Sequence, residues 1–330
     1  MGRFVSALLT VLAPLAVVAA AWVTFVREDT GGGSVAVPLA ASAASGVDEE
    51  PAAPPAVSDA ENAAPPDPPA ATAGIDASLA AVDAFSLPFR KPPRAGMVFD
   101  LGSGEVLWKR EPRRELPIAS LTKIMTALVV VDRGRPAEPV RITKEALDYE
   151  GSAIGLLPKG RRVRLETLLN GLLIVSGNDA AIALAVHLGG SQAAFVRMMN
   201  RRARDWGLEC TSFASPHGLS NGDRSCARDV AVLTRMAMRR KRISRIARRE
   251  FAQFRFPTKD GRLYLTGHNP LMRLDYRGAI GLKTGYTDEA GRCFVGVARR
   301  GDRTLGVVLL NSFDPSRQAP KLLDAAFAAG

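Results

Sequence analysis

At 330 residues, 47% hydrophobic and 23% charged, the chain can hold one large domain or two small ones and is too apolar to be disordered throughout. Its formal charge of +11 comes with no recognised nucleic-acid-binding motif, so nucleic acid is not expected as a partner. Cys210, Cys226 and Cys293 form no CxxC, and His187, His217 and His268 form no HxxxH, so no metal site and no cofactor is expected.

Residues 4–26, FVSALLTVLAPLAVVAAAWVTFV, are an uncharged, mostly apolar run long enough to cross a bilayer as a helix. Arg3 precedes it, and Arg27, Glu28 and Asp29 follow, an arrangement that leaves the amino terminus in the cytoplasm. Residues 1–29 are therefore expected to be a transmembrane anchor. A cleaved signal peptide is the alternative, because VVAAAW offers small residues to a peptidase. Either reading exports the rest. Residues 30–84 are rich in Ala and Pro, carry acidic residues and have no Lys or Arg, which predicts a disordered linker.

Residues 85–330 form the expected catalytic domain. From Arg90 onward, 42 Lys and Arg oppose 23 Asp and Glu, a net of +19. RAGMVFDLGSGEVLWKR, 94–110, reads as two strands around a Gly102-Ser103-Gly104 turn. A helix over about 120–132 follows from the spacing of Leu121, Ile124, Met125, Leu128 and Val131. RLETLLNGLLIVS and NDAAIALAVHL read as apolar helices broken at Ser176-Gly177-Asn178. SQAAFVRMMNRRARDWG is an amphipathic helix stopped by Gly207, and CARDVAVLTRMAMRR is another helix.

The run RRKRISRIARR, 239–249, is either a solvated helix face around Ile243, Ile246 and Ala247 or a contact for anionic lipid or an acidic wall polymer. GAIGLKTGYT, RCFVGVARR and RTLGVVLLNS then read as strands, with RRGDR as a hairpin connection and PKLLDAAFAAG as a closing helix. Strands at both ends with helices between them predict an α+β fold, one antiparallel sheet covered by helices. The cysteines read mainly as small buried residues.

Three short motifs could carry chemistry. Ser120-x-x-Lys123 puts a hydroxyl and an amine on one face of a first helical turn, unless Ser120 is only an N-cap. The backbone N–H groups there favour an anion. Lys123 could take the hydroxyl proton if burial and a neighbouring cation lowered its pKa. Ser176 and Asn178, at the helix break, could relay a proton and hold an amide. Lys283-Thr284-Gly285, on a strand, could bind a carboxylate, and Lys283 could be that neighbouring cation. His217 reads as a structural residue of a turn.

Each motif is weak alone. In this order they are the signature set of penicillin-binding proteins and serine β-lactamases. With LPIASLTKIMTALVV, TSFASPHGLS, CARDVAVL, NPLM and GLKTGYTDEAGRCFVGVARR, the chain resembles the serine D-alanyl-D-alanine carboxypeptidases over about 94–311. One departure is Ser225-Cys226-Ala227-Arg228, where the family has serine-threonine-alanine-arginine; it is expected to touch packing more than chemistry.

The resemblance implies a β-lactamase/transpeptidase-like fold with a helical subdomain, an extracytoplasmic site of action, a peptidoglycan stem peptide as substrate and β-lactam antibiotics as acylating inhibitors. It implies Ser120 as nucleophile, Lys123 as base, Ser176 as relay and Asn178 as amide holder. Lys283, Thr284 and Gly285 would bind substrate, and the backbone N–H groups of Ser120 and Tyr286 would form the oxyanion hole. A DD-endopeptidase, a serine β-lactamase and a non-catalytic wall-binding protein are the alternatives. Gly177 stands where the β-lactamases with S-D-N have aspartate.

Overall fold

The computed structural model describes residues 69–257 and 261–329. The expected anchor or signal peptide, and residues 30–68 of the expected linker, lie outside them. Helix α1 (Pro69–Ser78) falls at the end of that linker and corrects it. The composition argument missed it because α1 draws its stability from the domain. Ile75 is fully buried in the core, and Asp76 accepts hydrogen bonds from Arg228 Nε at 2.9 Å and Nη2 at 2.5 Å.

Strands β1 (Ala95–Asp100) and β2 (Val106–Arg110) are the expected first hairpin. After β3 (Leu116–Pro117) a single 3₁₀ turn, Ala119–Thr122, leads into α2 (Lys123–Arg133). Every residue from Lys123 to Val131 is buried, because α2 runs through the domain centre with apolar neighbours on all sides. A small ribbon, β4 (Pro139–Arg141) with β5 (Arg162–Arg164), encloses α3 (Lys144–Leu147). Then come α4 (Leu165–Ile174), α5 (Asn178–Gly189) and α6 (Gln192–Asp205).

The short β6 (Arg224–Ser225) pairs with β3 and precedes α7 (Ala227–Arg239) and α8 (Lys241–Ala247). A second ribbon, β7 (Phe251–Arg255) with β8 (Arg262–Thr266), lies in a stretch for which the sequence reading gives no element. The alternation of buried Ala252, Phe256, Leu263 and Leu265 with exposed residues was its signal. Helix α9 (Pro270–Arg273) leads to the long strands β9 (Ala279–Thr287), β10 (Gly291–Arg300) and β11 (Arg303–Ser312). Helix α10 (Pro315–Ala328) closes the described chain. It starts five residues before the expected helix, with Pro315 in the first turn and Asp314 accepting from Arg317 N.

The main sheet is antiparallel with strand order β2-β1-β11-β10-β9. Its two faces separate by the period-two rule. Met97, Phe99, Val308 and Leu310 face the helical side, whereas Val98, Val307 and Leu309 face Leu322 and Leu323 of α10. Both faces are covered, as the α+β reading expects, and β9 is left as an edge strand.

The arginine run 239–249 is not a uniformly solvated face. Arg240 is buried and paired with Asp132, and Arg242 is buried and paired with Glu166 at 2.8 Å. Arg249 donates to Asn170 Oδ1. The cysteine reading holds for Cys293, which is free and buried; Cys210 and Cys226 form a disulfide. The departure at Cys226 is therefore half of a covalent link between α7 and the segment before β6.

Candidate active site

Ser120 sits in the 3₁₀ turn, not at an N-cap: the capping position is Ile118, and no side chain caps the turn. The backbone of the turn is pinned from two sides. Ala119 has φ +47°, and glycines press on both flanks. A Cβ on Gly218 would lie 2.0 Å from Ala119 O, and one on Gly285 would lie 3.0 Å from Ser120 N. Only glycine lets β9 and the 215–223 loop approach Ser120 this closely.

Lys123 Nζ lies 3.0 Å from Ser120 Oγ, 2.6 Å from Asn178 Oδ1 and 2.6 Å from the His217 carbonyl oxygen. The side chain is completely buried. Burial holds its pKa well below the ordinary lysine range; the charge of Lys283 lowers it further, and Asp223 and Asp179 oppose the shift. A neutral amine has two N–H donors and one lone pair. Asn178 Oδ1 and the His217 carbonyl can only accept, so they take the two N–H groups. The lone pair is left for the Ser120 hydroxyl proton. With Lys123 in its neutral form, this arrangement can pass a proton from Ser120 to the amine.

The acceptors are themselves held. Asn178 opens α5; its Nδ2 donates to Glu150 O at 2.5 Å and its backbone N–H to Ser152 O at 2.7 Å. One Nδ2 hydrogen remains for a ligand. Asp179 Oδ1 accepts from the N–H groups of Ile154 and Ala180, and Oδ2 from that of Gly155, fixing the loop beside the cleft.

Sequence reasoning missed the His217 carbonyl because it considered the ring. The ring has its pKa pushed down to about 4 by burial and by Lys123, and its Nδ1 accepts from Leu219 N. Asp223 anchors the loop. It accepts from Ser215 Oγ at 2.5 Å and from the N–H groups of Ala214 and Ser215, while Ser215 Oγ accepts from Gly218 N. The clustering of Ser, Pro, Gly and Asp over 215–223 was the signal for a built turn.

Ser120 opens on a cleft of about 610 Å³ that Ser176, Thr284, Gly285 and Tyr286 also line. Ser176 has φ +61°, and its buried hydroxyl has no hydrogen-bond partner among the described residues. Lys283 is buried, its pKa lowered to about 7 by burial, and its Nζ donates to Thr284 O at 2.8 Å. Tyr286 is 61% exposed and its hydroxyl donates to Asp288. Direct hydrogen bonds therefore join Ser120, Lys123 and Asn178. Ser176 and the 283–286 segment meet them through the cleft and through charge. Arg292 also lines the cleft and was not anticipated. Glu166 is engaged by Arg242.

The family model for D-alanyl-D-alanine carboxypeptidase (Peptidase_S11) matches residues 92–314, more than half of the chain. D-alanyl-D-alanine carboxypeptidase DacF of Bacillus subtilis is 34% identical over 244 residues, 71% of this chain and 62% of that protein. DacB2 of Mycobacterium tuberculosis is 36% identical over 222 residues, 66% of this chain and 75% of that protein. A protein from Haemophilus influenzae named D-alanyl-D-alanine endopeptidase is 31% identical over 219 residues, 66% of this chain and 74% of that protein. The crystal structure of a D-alanyl-D-alanine carboxypeptidase from Mycobacterium tuberculosis is similar with a TM-score of 0.70 and 35% identity, covering 75% of this chain and 96% of that one. The chain thus spans about three-fifths of DacF and nearly all of the solved structure. With the Ser120–Lys123 site in the matched region, the chain belongs to the D-alanyl-D-alanine carboxypeptidase family of serine peptidases.

Proposed function

We propose that this chain is a serine-type D-alanyl-D-alanine carboxypeptidase that removes the terminal D-alanine of peptidoglycan stem peptides, and that β-lactams acylate the same serine. The observation that carries this reading is the donor set of Lys123, whose two fixed acceptors leave its lone pair to Ser120. The peptide adds as a strand along the free edge of β9, held by main-chain hydrogen bonds. Thr284 and the Lys283 charge receive its terminal carboxylate, and the spare Nδ2 hydrogen of Asn178 receives the penultimate amide.

Ser120 Oγ gives its proton to Lys123 Nζ and bonds to the carbonyl carbon between the two D-alanines. The oxyanion is taken by the N–H groups of Ser120 and Tyr286; one such donor is worth about 3–4 kcal/mol in the transition state. The C–N bond breaks as Ser176 gives its hydroxyl proton to the leaving amine and takes in its place the proton that Lys123 carries. Water then hydrolyses the ester and restores Ser120. The Ser176 hydroxyl, at the cleft and without a hydrogen-bond partner among the described residues, supports its relay role.

An oxidising compartment outside the cytoplasm suits the Cys210–Cys226 disulfide and such a substrate. Residues 1–29 as anchor or signal and 30–68 as spacer belong to the same proposal. Of the run 239–249, exposed Arg239, Lys241, Arg245 and Arg248 are the members that support contact with anionic lipid or wall polymer. The β-lactamases with S-D-N also supply a glutamate that activates the deacylating water; here Glu166, ahead of Ser176-Gly177-Asn178, is held by Arg242, so that reading loses support. An endopeptidase reading has support from relatives so named.

The test is incubation with a pentapeptide ending in D-Ala-D-Ala and, separately, with purified crosslinked muropeptide dimers. Ser120-dependent D-alanine release from the pentapeptide is the expected result. Split dimers without D-alanine release would establish the endopeptidase instead. No release together with no labelled-penicillin adduct would leave a wall-binding protein.

A further inference from the structure

A second concavity, larger than the Ser120 cleft, lies between the two small ribbons. It measures about 810 Å³ and is bounded by β5 and the first turn of α4 on one side and by the distal end of the β7–β8 ribbon on the other. Arg162, Arg164, Arg255 and Arg262 line it, and no described lining residue is acidic. All four are exposed, and none of their side chains has a hydrogen-bond or ion-pair partner among the described residues. Elsewhere the fold pairs its inward arginines: Arg228 with Asp76 and Asp229, Arg240 with Asp132, Arg242 with Glu166.

The strand registers make the cluster costly when empty. Arg255 stands directly opposite Arg262, and Arg141 directly opposite Arg162. Like charges across a strand pair repel, and a concavity whose charged described lining is all of one sign concentrates the field. A multiply charged anion would relieve both. Guanidinium forks suit carboxylate and phosphate, which they bind in pairs of parallel hydrogen bonds.

The outer face of the same ribbon adds a flat apolar surface. Phe251 and Tyr264 are more than half exposed, with ring centroids 6.1 Å apart, and Tyr264 stands opposite Gln253, which lines the groove. Such rings accept the C–H face of a sugar.

We propose that this groove binds an acidic polysaccharide strand, the four arginines taking its carboxylate or phosphate groups and the Phe251–Tyr264 pair a sugar ring. The strand would not be left far from the chemistry. β8 runs from Arg262 at the groove to Thr266, and the next two residues, Gly267 and His268, border the Lys283–Thr284 segment, with His268 also lining the Ser120 cleft. Five strand residues span roughly 17 Å. Polymer binding does not depend on the proposed peptidase activity; only its benefit, holding wall polymer beside Ser120, rests on that reading.

The test uses the full chain in neutral detergent and fluorescein-labelled oligogalacturonate, read by anisotropy. Unlabelled oligogalacturonate, neutral dextran and phosphatidylglycerol in mixed micelles are the competitors. The wild type binds and is displaced by oligogalacturonate. The quadruple variant Arg162→Gln/Arg164→Gln/Arg255→Gln/Arg262→Gln binds roughly tenfold or more weakly, with a shallower salt dependence. It still labels at Ser120 with penicillin at the wild-type rate, so its loss is separable from failure of the active-site reading. The double variant Arg255→Gln/Arg262→Gln, which removes an opposed like-charge pair, shows a smaller loss and an unchanged or higher Tm without polymer. Four results overturn the proposal: no wild-type binding at low salt, equal affinity in the quadruple variant, equal displacement by dextran, or stronger displacement by phosphatidylglycerol micelles than by oligogalacturonate.

Discussion

Gly218→Ala tests how rigidly Ser120, the proposed nucleophile, is held. The backbone at 218 has φ +92°, and an added methyl would sit 2.0 Å from Ala119 O, 2.5 Å from its carbonyl carbon and 3.0 Å from Ser120 N. Cβ atoms do not approach backbone closer than 3.0 Å, so the turn bearing Ser120 has to retreat. A retreat of about 1 Å in a reacting group costs on the order of 100-fold in rate. Gly207→Ala is the matched control, because Gly207 has φ +62° and nothing within 4 Å of its added Cβ. Both variants carry the left-handed backbone penalty of about 1–2 kcal/mol, and only one carries the clash. The assay is the second-order rate of Ser120 labelling by a fluorescent penicillin, with Tm read alongside. Gly207→Ala should label at the wild-type rate and Gly218→Ala roughly 100-fold more slowly while still folded. Labelling of Gly218→Ala within about threefold of the control would refute the argument that β9 and the 215–223 loop clamp the nucleophile.

Burial lowers the Lys123 pKa most and the Lys283 charge adds to it. Lys283→Gln removes that second part, so the pKa rises and the ascending limb of the acylation–pH profile moves to higher pH; a limb that stays put contradicts the coupling. Glu166→Gln should leave the lifetime of the penicillin adduct unchanged, because Glu166 is tied to Arg242; a wild-type turnover that this change abolishes would restore the β-lactamase reading. Cys210→Ser/Cys226→Ser opens a link across 16 residues of sequence and should cost about 3 kcal/mol. Calorimetry would then show a Tm lower by roughly 6–12 °C, and an unchanged Tm would deny the link a structural role.

Features carried by side-chain type and spacing were open to the sequence. The Gly102-Ser103-Gly104 hairpin and the break between α4 and α5 at Ser176-Gly177-Asn178 are local, and the residues that make them are adjacent. The convergence of Ser120, Lys123 and Asn178 was legible only through the order of three motifs. What stayed hidden depends on distant partners or on backbone atoms. Helix α1 lies in a composition that reads as linker, and it is fixed by a contact between Asp76 and Arg228, 152 residues apart. Which arginines of 239–249 turn inward depends on Asp132 and Glu166, more than seventy residues away. The second acceptor of Lys123 is a main-chain carbonyl, which no residue letter announces, held in place by Asp223.

The account stands or falls on the amine of Lys123. Lys123→Met keeps a long, buried, unbranched side chain and removes only the proton acceptor. Mapping of a labelled penicillin adduct by mass spectrometry should place it on Ser120 in the wild type. In the folded variant the labelling rate should fall by roughly 100- to 10,000-fold. Near-normal labelling of Ser120 in Lys123→Met would contradict the assignment of that amine as the base.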